Sequence, residues 1–148
     1  AVDAEILDKK LSKLKWITVL YPDNPEKEIS QLQEAINIIK NDNRKKIIVT
    51  DYQVVSVLMS SYDYSPSQVW FINHVVTQEK ESKYFKSYKK FFIEHLKENR
   101  IEVAYTIKPL WGGNEVFEKG LSKNCFKKIK KTEILDIYIL QNCNELKN

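Results

Sequence analysis

The stretch Lys45-Lys46-Ile47-Ile48-Val49-Thr50-Asp51-Tyr52-Gln53 constrains this chain most. It runs from basic residues into an apolar, β-branched run with no polar alternation. That pattern suits a strand covered on both faces, as parallel strands of α/β sheets are. The run stops at Asp51 and passes into Val54-Val55-Ser56-Val57-Leu58. Thr50 or Asp51 is a natural N-cap there. The unit reads strand, turn, helix, with residues 47–49 as a middle strand of a sheet.

The remaining segments repeat the unit. Residues 1–15 read as an amphipathic helix, because Ile6, Leu7, Leu11 and Leu14 recur at helical spacing against Lys9, Lys10, Lys13 and Lys15. This helix either packs on the domain or leads in from a membrane span, since Lys and Trp favour the interface. Residues 16–21 read as the first strand. Asn24 then caps a helix with Pro25 at its first position, and Ile29, Leu32, Ala35, Ile36 and Ile39 form its apolar stripe to about Lys40.

Residues 68–72 read as a further strand, and 73–82 as a loop at its end. Tyr84, Phe85, Tyr88, Phe91, Phe92, His95 and Leu96 mark a helix face, with Asn99 as a left-handed stop. Residues 101–107 are a strand, 111–114 a Gly-rich loop, 115–126 a short helix, and 133–140 the last strand. Strands alternating with helices predict an α/β fold with a single domain over 16–148. The predicted form is a three-layer sandwich, a mostly parallel sheet of about five strands with helices on both faces, Rossmann-like or flavodoxin-like. The final strand is a candidate for an antiparallel edge.

With 148 residues the chain is one domain of ordinary size. No apolar run approaches the length of a membrane span. The chain starts at Ala1 without Met, which suggests a processed product or a piece of a longer chain. The net charge of +4 is mild, and the densest cluster, Lys127-Lys128-Ile129-Lys130-Lys131, reads as a solvated helix end; no nucleic-acid partner is expected. Cys125 and Cys143 fit no zinc or redox spacing. They are either two thiols or one disulfide tying the end of the last helix to the C-terminal tail, and the disulfide requires an oxidising compartment.

In open α/β sheets ligands bind outside the carboxyl ends of the strands. That rule selects Asp51, Tyr52, His74, Trp111, Gly112, Gly113 and Asn114 as candidate ligand-binding residues. Asp51 is a base or hydroxyl-binding group on one reading and a helix cap on the other. His74 titrates near neutrality but stands alone in a loop. His95 and the aromatic set around it read as packing. With three glycines there is no dinucleotide fingerprint and no P-loop; no metal spacing and no nucleophile elbow occur either. No cofactor, no metal and no catalytic residue is assigned.

Ile47 to Gln53, with Ser65-Pro66-Ser67-Gln68-Val69-Trp70, Tyr84 and Tyr88-Lys89-Lys90-Phe91-Phe92, and Asn99-Arg100-Ile101-Glu102-Val103-Ala104-Tyr105, resembles a known domain type. It is similar to the soluble C-terminal domain of bacterial multi-pass glycosyltransferases of the GT-C type, akin to dolichyl-phosphate-mannose protein mannosyltransferases. The resemblance spans residues 16–143. It implies an extracytoplasmic (periplasmic) domain, joined to the transmembrane part of the same polypeptide. In that family the catalytic carboxylates lie in loops among the spans, so none is carried over here. The domain is then non-catalytic and binds acceptor or glycan, or braces the membrane part. The alternative is a free-standing, cytoplasmic α/β binding protein or enzyme using the rim around Asp51. A third reading, response-regulator-like, rests on Asp51 at a strand end with Asp23 and Lys108 as partial matches.

Overall fold

A computed structural model describes residues 1–18, 20–59, 81, 83–110, 113 and 117–147. Strands β1 (Val2–Asp3) and β2 (Lys15–Trp16) form a small antiparallel ribbon that pairs Val2 with Trp16 and Asp3 with Lys15. Two 3-10 turns, Ala4–Ile6 and Lys9–Leu11, lie between them. The helix expected over residues 1–15 is therefore absent. Asp8 draws its side chain onto the Lys10 amide at 2.9 Å, and Lys13 takes a left-handed φ of 71°; both interrupt a continuous helix. Leu7 and Leu11 still reach the core, whereas Ile6 and Leu14 stay exposed. The strand expected over 16–21 contracts to β2, because Thr18 Oγ1 accepts from the Leu20 and Tyr21 amides and turns the chain.

Helix α1 (Pro25–Lys40) starts where its signals lie: the Asn24 side chain accepts the Lys27 amide at 3.1 Å and Pro25 opens the first turn. It leads into β3 (Lys46–Thr50). Helices α2 (Val54–Leu58) and α3 (Phe85–Glu98) follow on the way to β4 (Val103–Ile107). Strands β5 (Phe126–Lys130) and β6 (Leu135–Leu140) close the sheet as a hairpin. The strand order is β3-β4-β6-β5; β3 and β4 are parallel, and the other two pairings are antiparallel.

This arrangement corrects the predicted five-stranded, mostly parallel, Rossmann-like sandwich: the sheet has four described strands and is mixed. The difference arises at the 16–21 segment, which contributes only to the separate ribbon, and at the hairpin of β5 and β6. The lysine cluster expected to end a helix is β5, and the last strand returns antiparallel to it in the middle of the sheet. A connection of a few residues between β5 and β6 permits only antiparallel pairing, because a parallel return needs a dozen residues or more. The strand expected at 68–72 lies outside the described residues.

The 46–50 strand is also not a middle strand among those described. It stands at one end of the order, yet Ile47, Ile48 and Val49 are each no more than 5% exposed. Its unbroken apolar run reflects helices over both faces rather than a central place. Ile48, Val103, Tyr105, Ile107, Leu135 and Ile137 share a core with the α1 stripe of Ile29, Leu32, Ala35, Ile36 and Ile39. Ile47, Val49, Ala104 and Tyr138 pack instead with Tyr88, Phe92 and Leu96 of α3. Alternation along each strand thus assigns one residue in two to each helix layer.

The α3 layer is closed by aromatic contacts and a covalent link. Phe117 meets Phe92 edge-on at 5.6 Å and lies 4.5 Å from Tyr138. Gly120 sits against Phe92, where a Cβ would approach the ring to 2.7 Å. Cys125 and Cys143 are joined in a buried disulfide, Cα atoms 5.1 Å apart. It draws the C-terminal turn, Asn144–Leu146, toward α3, where Glu145 pairs with Lys89 at 3.4 Å and also accepts from Ser122.

The disulfide closes a loop across a sequence separation of 18. Chain-entropy reasoning values a loop of that size at about 3 kcal/mol. Unreduced, denatured protein should therefore show no titratable thiol. The Cys125→Ala/Cys143→Ala variant should lose about 3 kcal/mol in urea unfolding. Two free thiols, or an unchanged midpoint, would contradict this.

Candidate functional site

The chain leaves β3 at Thr50, whose Oγ1 accepts the Tyr52 amide at 3.0 Å. This hydroxyl turn occupies the place expected for an N-cap of α2; the residue that caps that helix is Gln53, without a side-chain bond to it. The turn presents Asp51, Tyr52, Gln53 and Val54 to an open cleft of about 340 Å³. Trp16 of β2, with Ile17, Thr18 and Leu20 just after it, forms the other wall, with Glu28 of α1 between them.

Glu28 is the physical centre of this cleft. The residue is 3% exposed. Trp16 Nε1 donates to Oε2 at 2.8 Å, and the Tyr52 hydroxyl donates to Oε1 at 2.7 Å. The Trp16 and Tyr52 rings stack at 6.5 Å with planes 22° apart. A buried carboxylate is costly unless it is hydrogen-bonded, and each bond to a charged group is worth roughly 1.5–3 kcal/mol. Position in the first turn of α1 adds the favourable field of the helix N-terminus. One side chain therefore ties together the ribbon, α1 and the turn after β3.

Burial pushes the Tyr52 phenol well above its ordinary range, and the hydrogen bond to Glu28 adds to the effect. Tyr52 stays a neutral donor throughout the physiological range. Its hydroxyl holds the Tyr52 ring against Glu28 and beside Trp16.

Of the residues selected from sequence, Asp51 and Tyr52 line this cleft. Gly113 is described; it has φ of 92° and donates its amide to the Leu110 carbonyl at 3.0 Å, in a turn after β4. His74, Trp111, Gly112 and Asn114 lie outside the described residues. Sequence reasoning did not select Trp16, Glu28 or Gln53. Glu28 carried a signal, since it falls in line with Leu32 and Ala35 on the apolar stripe of α1. His95 stacks on Phe91 at 6.3 Å and faces the Asn99 side chain.

Two other polar clusters are satisfied internally. Asp42 accepts the Arg44 guanidinium at 2.7 Å and the Tyr105 hydroxyl, and the arginine bond holds its carboxyl far below the usual range. Burial, with Asp42 nearby, pushes Tyr105 up to about 12. On the opposite face, Asp136 is 3% exposed and pairs with Lys108 Nζ at 3.4 Å. Lys128 lies 4.0 Å from Asp136 and 3.4 Å from Glu118. Lys108, a partial match to the response-regulator pattern, is thus engaged by Asp136 of β6. No group of three or more His, Cys, Asp or Glu side chains among the described residues could hold a metal ion.

Tyr52 and Tyr105 both have folded values above the ordinary phenol value near 10. The stability they contribute is complete below pH 10 and is lost as pH rises toward the folded values. Unfolding followed by circular dichroism should therefore show a steep fall in stability from pH 10 to 12. Tyr52→Phe should cost about 1–3 kcal/mol at pH 7 by leaving a Glu28 oxygen without its donor, and should flatten the alkaline fall. A flat alkaline profile in the parent protein would contradict this.

Comparison with protein-family models, with curated proteins and with solved structures finds no match.

Proposed function

We propose that this chain is a non-catalytic binding domain whose ligand is a neutral glycan or a glycan-bearing acceptor, held in the cleft between the N-terminal ribbon and the β3–α2 turn. The single observation carrying this reading is the engagement of Glu28 by Trp16 and Tyr52 at 2.8 and 2.7 Å. It fixes two aromatic rings on the cleft and leaves the buried acid already bonded on both oxygens. Asp51, Thr18 and Gln53 add hydroxyl-binding groups around those rings. Aromatic walls with a few convergent polar groups are the usual make-up of a small-ligand site. Sugars present apolar C–H faces to rings and hydroxyls to carboxylates and amides.

The reading places the domain on the extracytoplasmic side of a membrane glycosyltransferase of the GT-C type, beside the spans that carry the catalysis. The buried disulfide supports an oxidising compartment. No helix among the described residues is long and apolar enough to cross a membrane.

Amide and indole NMR shifts, recorded during titration with mannotriose, cellotriose and N-acetylglucosamine trimer, test the proposal. At least one sugar should perturb Trp16 and residues 51–54 at millimolar concentration, and Asp51→Ala should weaken it at least tenfold. Turnover of any of these sugars, or no shift at the cleft with any of them, would overturn the reading.

A further inference from the structure

The net charge of +4 is not spread over the molecule. Residues 117–131 contain six lysines and one glutamate, a net +5, so the remainder of the chain sums to −1. This segment holds β5, which ends the strand order. Lys123, Lys127, Lys130 and Lys131 are exposed, and no carboxylate pairs with them among the described residues.

The hydrogen bonds determine which backbone groups of β5 remain open. Lys131 donates its amide to the Leu135 carbonyl at 2.9 Å, and Gln141 donates to the Cys125 carbonyl at 2.8 Å. In an antiparallel ladder alternate residues bond to the partner. Odd-numbered residues 125–131 therefore face β6, and the N–H and C=O groups of Phe126, Lys128 and Lys130 point away from the sheet. Among the described residues no strand pairs with that edge.

We propose that the outer edge of β5 docks an acidic, extended segment of another polypeptide, which adds to the sheet as its next strand. A peptide backbone supplies donors and acceptors at the spacing this edge presents. Lys127 and Lys130 belong to opposite faces of the sheet by alternation, so they flank an added strand on both sides. Acidic side chains in that strand meet a lysine on either face. A second copy of this chain is disfavoured there, because β5 against β5 sets lysine against lysine. Edge lysines commonly block unwanted strand pairing. A fence of one sign excludes neutral and basic strands while drawing in acidic ones, which makes it a specificity device.

The test uses the whole disulfide-bonded protein and a blocked peptide of seven residues in which single valines alternate with glutamate pairs, so that an extended strand carries glutamate on both faces. Its counterpart, N-methylated at alternate backbone nitrogens, carries equal charge with one hydrogen-bonding edge removed. The unmodified peptide should slow amide exchange at Phe126, Lys128 and Lys130. The methylated peptide should bind at least tenfold more weakly. Lys127→Glu/Lys130→Glu should abolish binding, whereas Lys127→Arg/Lys130→Arg retains it; neither pair touches the cleft. Inorganic polyphosphate and phosphatidylglycerol vesicles serve as charge-only competitors. Equal binding of both peptides, no protection at the three amides, or tighter binding of polyphosphate or vesicles would overturn the proposal.

Discussion

A buried carboxylate on the first turn of a helix sets the geometry of the cleft between the N-terminal ribbon and the β3–α2 turn. Glu28 has little access to water, and two ring donors from distant parts of the chain replace its hydration. Removing either donor leaves charge buried with one partner fewer, so the ribbon and the β3–α2 turn are coupled through this group. The coupling gives the two-residue strands β1 and β2 a reason to persist. A ribbon that short is not stable alone, but Trp16 anchors it to α1 and Tyr52.

The sheet behind this cleft is mixed because two kinds of connection built it. The long passage through α2 and α3 returns β4 parallel to β3, and the short link between β5 and β6 returns antiparallel. Strand β6, central and antiparallel, carries Asp136 into the α3 layer, where Lys108 and Lys128 neutralise it. Phe126, Phe117 and Tyr138 fill the rest of that layer, and the disulfide holds the C-terminal turn beside it. The two faces therefore differ in character: an aliphatic core under α1, and an aromatic core with ionic pairs under α3.

Local signals were legible where capping and periodicity agreed. The Asn24-Pro25 start and the stripe from Ile29 to Ile39 define α1 without tertiary help, and the aromatic spacing from Tyr88 to Leu96 does the same for α3. Residues 1–15 misled because Leu7 and Leu11 have helical spacing in either case; two separate turns bury them as well as a helix would. The lysines of β5 misled because a solvated edge strand and a solvated helix end have similar composition. Of the site, Asp51 and Tyr52 followed from the rule about strand ends. Their partners did not, since Trp16 and Glu28 are 35 and 23 residues from Asp51 in the chain and only packing brings them together.

The hydrogen bond from the Trp16 indole to Glu28 is the most direct measure of this account. Exchange of the indole N–H with solvent, followed by NMR in isotope-labelled protein, should be roughly tenfold or more slower than for free indole. In Glu28→Ala that protection should vanish while the amides of β4 and β6 stay protected. A wild-type indole that exchanges freely, or protection unchanged by loss of the carboxylate, would contradict the claim that Glu28 organises the cleft.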